Sequence, residues 1–441
     1  MIKKIFHIIY NERRENSWLV IEIIAASIML WMAFDPLFTF KRIYNYDDGY
    51  NIDGTYRIDF AHYKPYDHRF KRANEQAELE GESYIHLYNI VRNLPEIESY
   101  CFTQEGCYPG ANRGYQIFPI FIDSVDCGDD KNKYIELQKS KGLSPDYHPI
   151  YDIEGNDYFT TFGVKDAFTG KIFTPNKHDT YNNCYVSECF AKNHFGGARE
   201  ALGKRFYLGH NEHFIISGVF KDMQLCDYND PDEQILLRRA NTPAEYRMLV
   251  LHIRLKKGVD RVAFEKRFKE DIMPRLKAGN AYCRSIEPHY VFRERYNEVW
   301  GIPSKLTMYY SMALFSLFTV FLGMLSAFWI RTSARKSEIG IMRSVGASRQ
   351  TIIKQFITEV ALLVNIGFAV AMLFVLHHLY VNGFANPMKN ILKITSIGGP
   401  LHFTVVTASA YIITMLFAIA GAAIPAWRIA KILPADALKE E

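Results

Sequence analysis

The sequence runs to 441 residues, 49% hydrophobic and 23% charged, with a formal net charge of +4 and a mean hydropathy of −0.12. Those averages would suit two or three soluble domains. They conceal two different materials, and four long apolar stretches exclude a wholly soluble chain.

Residues 1–16 form a short segment carrying Lys3, Lys4, Arg13 and Arg14. Residues 17–40 follow with only Glu22 and Asp35 charged, and they read as a first membrane span. The stretch is too long for a cleaved leader, and no small-x-small cleavage site follows it. Trp18, Trp31 and the aromatic run from Phe34 to Phe40 lie towards its two ends, where interfacial anchors are expected.

Residues 41–305 hold 37 basic and 39 acidic side chains and so carry no basic bias. Their pattern is mixed α and β. Residues 83–94 repeat apolar positions at helical spacing, Ile85, Tyr88, Ile90, Val91 and Leu94, until Pro95 stops them. Residues 97–103 read as a strand, as do 247–255 and Phe214–Phe220. Residues 261–277 read as an amphipathic helix with Val262, Phe264, Phe268 and Ile272 inward. Two subdomains are expected, 41–104 with 245–305 as one and 105–244 as an insertion. All 7 cysteines fall in this segment (Cys101, Cys107, Cys127, Cys184, Cys189, Cys226, Cys283), which fits an oxidising compartment. Cys101 and Cys107 flank a turn-rich loop and are the candidate disulfide; buried thiols are the alternative.

The second span, 306–330, contains no charged residue over a length of roughly 37 Å, enough to cross an apolar core of about 30 Å. The loop 331–355 sets Arg331, Arg335, Lys336, Arg343, Arg349 and Lys354 against Glu338 alone. A third span covers 356–380 with Glu359 as its charge, a short loop covers 381–401, an uncharged fourth span covers 402–427, and 428–441 form a tail. Because positive residues stay inside, both termini and the loop 331–355 are expected in the cytoplasm and 41–305 outside. Glu22 and Glu359 are intramembrane polar residues, expensive to bury. Each lies near an inner end and can reach the interface, and for Glu359 a role in packing the spans is expected.

Within the basic loop, residues 336–347 read as a short amphipathic helix with Ile339, Met342 and Val345 on one stripe. Gly346 is a stop signal and Ser348 a cap for the next helix. Such a helix offers an apolar knob to a partner's groove; its bland alternative is a basic helix resting on anionic lipid. Elsewhere little chemistry stands out. Gly197–Arg205 approaches a phosphate-binding loop, but its spacing is one residue too long and Arg205 replaces the hydroxyl that would hold Mg²⁺. His210 and His213 sit in a turn before a strand and are read as solvated. No metal site, no catalytic triad, no paired carboxylates and no basic-aromatic interleaving for nucleic acid are seen.

Residues 331–364 closely resemble the coupling segment of the MacB/FtsX-type ABC permeases. The pattern is met by Arg335, Glu338, Ile339, Gly340, Ile341, Arg343, Gly346, Ala347, Ser348, Gln355, Phe356 and Glu359. The ending resembles the family's through Pro425, Ala430, Pro434, Ala437 and Leu438, with Trp427 in place of the usual basic residue. Segments within 157–222 resemble a MacB-like periplasmic core domain. The resemblance implies four transmembrane helices and a large extracytoplasmic α+β domain of two subdomains between the first and second. It implies ATPase contact through Glu338, Ile339, Gly340, Met342, Arg343, Val345, Gly346, Ala347 and Ser348.

Further expectations follow from the same resemblance. The chain is a non-enzymatic permease subunit lacking Walker A and ABC signature motifs. ATP and Mg are bound by a separate ATPase, and the chain itself has no cofactor. A second permease copy completes a dimer, and a periplasmic adaptor and outer-membrane component are further partners. The location is the bacterial inner membrane, and the task is export or mechanotransmission. A ligand-sensing receptor without an ATPase is the rival, disfavoured because the short inner loops supply no output domain.

Overall fold

The computed structural model describes residues 13–45, 47–72, 77–110, 115–116, 120–123, 135–136, 139–176, 178–208, 212–224, 233–381 and 400–431. Cys127, Cys226, His210, Pro434, Ala437, Leu438 and nearly all of the loop 381–401 lie outside these. The chain divides into a membrane unit, Met1–Tyr44 with Gly301–Glu441, and a second unit, Asn45–Trp300.

Among the described residues of the membrane unit, 4 helices are long and apolar enough to cross a membrane: Asn16–Arg42, Ile302–Ala334, Arg349–Val381 and Leu401–Ile429. The third extends seven residues further towards its start than the apolar pattern alone indicated. At 33 residues it reaches about 50 Å, well beyond an apolar core of ~30 Å, so its first turns project past that core. In lipid, the helices gain little from apolar burial against one another, so close backbone packing must hold them. The fourth span meets this need with small residues at four-residue steps, Ala418, Ala422 and Ala426, all buried. Between them Gly421 lies so near the second span that an added Cβ would stand 2.5 Å from the Phe321 carbonyl oxygen.

Trp31 is not an interfacial anchor as expected. It is buried between helices, lies tilted against Phe403 with ring centres 6.0 Å apart, and its Nε1 donates to Thr407 Oγ1 at 3.1 Å. Trp18, by contrast, is well exposed. Asp35 and His402 meet at 2.9 Å, joining the first and fourth spans.

The second unit contains two sheets. In chain order its strands are β1 (Thr55–His62), β2 (Ile97–Gln104), β3 (Tyr115–Gln116), β4 (Ile120–Phe121), β5 (Asp146–Tyr151), β6 (Asn183–Ser187), β7 (Arg205–Leu208), β8 (Glu212–Phe220), β9 (Gln234–Arg239), β10 (Leu249–Leu255), β11 (Lys277–Ala278) and β12 (Ala281–Pro288). A 5-stranded sheet has the order β11-β12-β1-β10-β2 and a 7-stranded sheet the order β3-β5-β9-β6-β8-β7-β4. The first is antiparallel throughout; the second is mixed, with β5 parallel to β9 and β6 parallel to β8. The helix Ala77–Arg92 lays Tyr84, Leu87, Tyr88 and Val91 on the first sheet; Tyr88 and Val91 are inward as expected and Leu94 packs beside them, while Ile85 is half-buried and Ile90 exposed.

The expected helix 261–277 is broken. A helix runs only Arg261–Arg267, widens through a π turn at Phe268–Ile272, and closes as a 3₁₀ turn around Pro274 before β11. Proline removes an amide donor and cannot continue the ladder. Phe264 and Phe268 are buried as expected, but Val262 is 79% exposed, because Asp260 caps the helix through the Val262 and Ala263 amides and turns that first residue outward.

The expected Cys101–Cys107 bridge is absent. Cys101, on β2, is a fully buried thiol whose ionisation is pushed well up by desolvation. Cys107 is also a buried thiol and directs its sulfur to the Tyr147 carbonyl at 3.7 Å. The strand fixes one side chain while the turn aims the other elsewhere, so sequence proximity does not bring the sulfurs together. Cys184, Cys189 and Cys283 are thiols as well.

Candidate functional site

The basic loop folds as a helix, Lys336–Ser344, directly after the second span ends at Ala334. Its stop is a Schellman turn: the Ala347 amide donates to Met342 O at 2.9 Å and the Gly346 amide to Arg343 O at 3.1 Å. Gly346 adopts φ +100°, a conformation glycine enters without steric cost. One residue further, Ser348 Oγ accepts the Thr351 amide at 3.2 Å and opens the third span.

The stripe is not the one expected. Ile339 is only 5% exposed and packs with Phe328, Ile352, Phe356, Ile429 and Ala430; Gly340 is buried beside it. Met342 and Ala347 are half-buried. The outward apolar residues are Ile341, 54% exposed, and Val345, 83% exposed, one turn apart. Glu338 and Ser348 are exposed around them. Since the helix must use one face to rest on the bundle, its free knob lies on the other. Arg343 is half-buried and donates to the Ala430 carbonyl at 2.9 Å, tying the helix to the end of the fourth span.

Beneath this helix lies a buried charge cluster. Arg331 Nη1 meets Glu359 Oε1 at 2.9 Å, with both side chains almost wholly removed from solvent. Arg331 Nη2 also donates to Asn16 Oδ1, so the guanidinium joins the first, second and third spans. Arg335 Nη1 lies 3.6 Å from the other Glu359 oxygen while its Nε reaches Glu338 at 2.9 Å. Phe328 and Phe356 wall the cluster, with the two guanidinium groups 5.3 and 5.8 Å from their rings. A buried carboxylate is tolerated only when paired. Here Glu359 is paired from the second span and from the residue that starts the short helix.

Sequence reasoning singled out Glu359 but missed Arg331 and Asn16 as its companions. The available signal was complementarity: an acid just inside one apolar helix and a base just inside another, both at inner ends, are candidates for a pair. Glu22 does not join this cluster; it is half-buried and lies against Gly323 of the second span, where a Cβ would collide with its carboxylate.

The second unit has its own buried polar chain. His252 Nε2 pairs with Thr103 Oγ1 at 2.8 Å and His252 Nδ1 with His289 Nε2 at 2.8 Å, under Tyr108 and Phe162. Desolvation, then the neighbouring charge of Arg57, holds His289 down at about 3; desolvation also holds His252 well below the usual imidazole range and His148 at about 4. These imidazoles are neutral structural groups. Arg57 itself bonds Asp59 at 2.8 Å and Glu105 at 2.6 Å. His213 is half-buried on β8. The phosphate-loop look-alike at Gly197–Arg205 folds as a one-turn helix, Ala198–Ala201, leading into β7. Among the described residues no group of three or more His, Cys, Asp or Glu side chains converges as a metal site.

The membrane unit thus carries a short helix mounted on a bundle of apolar helices, with a buried charge cluster behind it. Residues 310–434, which take in most of the second span, the short helix and the third and fourth spans, match the family described as FtsX-like permease C-terminal. No curated protein matches the chain. Among solved structures, a domain of a permease protein from Porphyromonas gingivalis is similar at 16% identity and TM-score 0.31, covering 54% of this chain and 91% of that one. The periplasmic region of MacB from Actinobacillus actinomycetemcomitans is similar at 13% identity and TM-score 0.31, covering 58% and 98%. The extracellular domain of the noncanonic ABC-type transporter YknZ from Gram-positive bacteria is similar at 10% and 0.28, covering 52% and 100%.

Proposed function

We propose that this chain is the permease subunit of an ABC assembly of the bacterial inner membrane, working as a dimer with two copies of a separate ATPase. ATP and Mg are bound by that ATPase. Its closure pushes the Lys336–Ser344 helix, and the first and second spans, continuous in sequence with the unit Asn45–Trp300, carry the stroke to a periplasmic domain. The task is export or mechanotransmission across the envelope, with a periplasmic adaptor and an outer-membrane component as further partners.

The observation that carries this reading is the division of the short helix into two faces. Its inner face is fixed by Ile339, Gly340 and Arg343, so the helix is held as a part of the bundle. Its outer face presents Ile341 and Val345, 54% and 83% exposed. A rigidly mounted apolar knob suits docking into a groove. A helix adsorbed on lipid would need no hydrogen bond to the end of a span to hold it.

The test is purification of the full-length chain from its native membrane with any ATP-binding subunit that accompanies it. Val345→Glu places a charge where docking would desolvate it, at a cost of several kcal/mol. The variant is expected to insert normally, lose the ATPase and lose stimulated ATP turnover. Met342→Glu is expected to act more weakly, because Met342 is half-buried against the bundle. Retention of the ATPase by Val345→Glu would remove this face from the mechanism.

A further inference from the structure

We propose that the ends of the second and fourth spans nearest the short helix form a binding site for an anionic phospholipid headgroup, built from Trp329, Trp427, Arg428 and Lys431. Trp329 is 43% and Trp427 57% exposed. The Arg428 guanidinium lies 4.5 Å from the centre of the Trp329 ring, and Lys431 Nζ lies 3.2 Å from that of Trp427. Arg428 and Lys431 are both exposed, and among the described residues neither has a carboxylate partner.

Each feature points to the same ligand. Exposed indoles at the ends of membrane helices sit at headgroup depth. An indole face orients a cation without neutralising it. The two cations therefore keep a net charge of two, which a phosphodiester can meet with charge-assisted hydrogen bonds. The neighbouring surface selects a lipid over free phosphate. Ile424, one turn before Trp427, and Ile330, beside Trp329, are large exposed apolar residues on membrane-length helices, suited to acyl chains. The site adjoins the short helix, because the Ala430 carbonyl that receives Arg343 lies between Arg428 and Lys431.

The experiment uses the full-length chain in detergent, with phosphatidylglycerol and phosphatidylcholine of identical acyl chains supplied in equal amounts and retained lipid counted by native mass spectrometry. Wild type is expected to favour phosphatidylglycerol, and Arg428→Gln/Lys431→Gln, which removes two basic residues from an anionic surface, to lose that preference by roughly thirtyfold. Arg428→Lys should keep most of it. Arg349→Gln/Lys354→Gln, which removes two exposed cations elsewhere at the same end, should leave it unchanged. Inorganic phosphate should not displace the lipid. An unchanged preference in the first variant, an equal loss in the control pair, or displacement by phosphate would overturn the site. So would a variant that changes the chain's self-association while retaining its lipid, because the patch would then be an interface between copies.

Discussion

The two units place charge in opposite ways. The membrane unit buries an ionised pair, Arg331–Glu359, and surrounds it with Asn16, Arg335 and two phenylalanines. The unit Asn45–Trp300 buries neutral imidazoles, His148, His252 and His289, and keeps its ion pairs towards water; even Arg57 reaches Glu105, a largely exposed carboxylate. The difference teaches where a fixed geometry matters. A buried ion pair is rarely the most stable solution, since apolar packing of equal volume often does as well. Its retention at the junction of three spans and a short helix marks that junction as a place where orientation is specified.

The largest effect that could break this comparison is removal of one charge. Glu359→Ala leaves Arg331 buried without its counter-ion and is expected to cost about 3–5 kcal/mol, read from denaturant titration in detergent. The double change Glu359→Leu/Arg331→Met should cost less than either single charge removal. If the double variant is as damaged as Glu359→Ala, the site contributes ordinary packing and no specified pairing.

A second expectation concerns pH. His148 is held near 4 in the folded chain against an ordinary value of 6.5. The unfolded chain therefore binds the proton first, and the stability that neutrality supplies is complete above pH 6.5. It is lost as pH falls from 6.5 towards 4, by on the order of 3 kcal/mol for this side chain alone. Hydrogen exchange on the full chain would follow the amides of β5 and its neighbours separately from those of the spans. His148→Leu should flatten that slope; an identical slope would show that other groups set the acid limit.

Smaller effects sharpen the contrast. Gly346→Ala meets open space but a positive φ, so its cost is conformational, about 1–2 kcal/mol, and should appear as fraying of the short helix. Arg261→Gln removes a surface pair with Asp53 and should change thermal stability by less than about 1 kcal/mol, less still at high salt.

Much of the architecture was legible because bilayer thickness converts composition into length. Stretches such as 306–330 have no competing reading once the absence of charge over that distance is noted. The mixed α and β character of 41–305 was legible from periodicity, as Phe214–Phe220 within β8 shows. Orientation around an axis was harder. A nine-residue helix and the residue that caps it offer two apolar arcs, Ile339 with Met342 and Ile341 with Val345, and periodicity cannot say which the bundle covers. Val262 failed for a related reason, since a residue in the first turn after a cap lies beyond the buried stripe. Arg331 and Asn16 were hidden because their role depends on which helices are neighbours. The Cys101–Cys107 pair looked close along the chain, while side-chain direction decides whether sulfurs meet.

The central claim is that the short helix shows one face to the bundle and the other to a partner. Photo-crosslinking from single unnatural residues at positions 345 and 339 of the full-length chain, in membranes that contain the assembled complex, tests it most directly. Crosslinks from 345 to an ATP-binding subunit, with those from 339 confined to the chain's own spans, are the result predicted. Crosslinks from 345 to lipid alone, or from 339 to the ATPase, would contradict it.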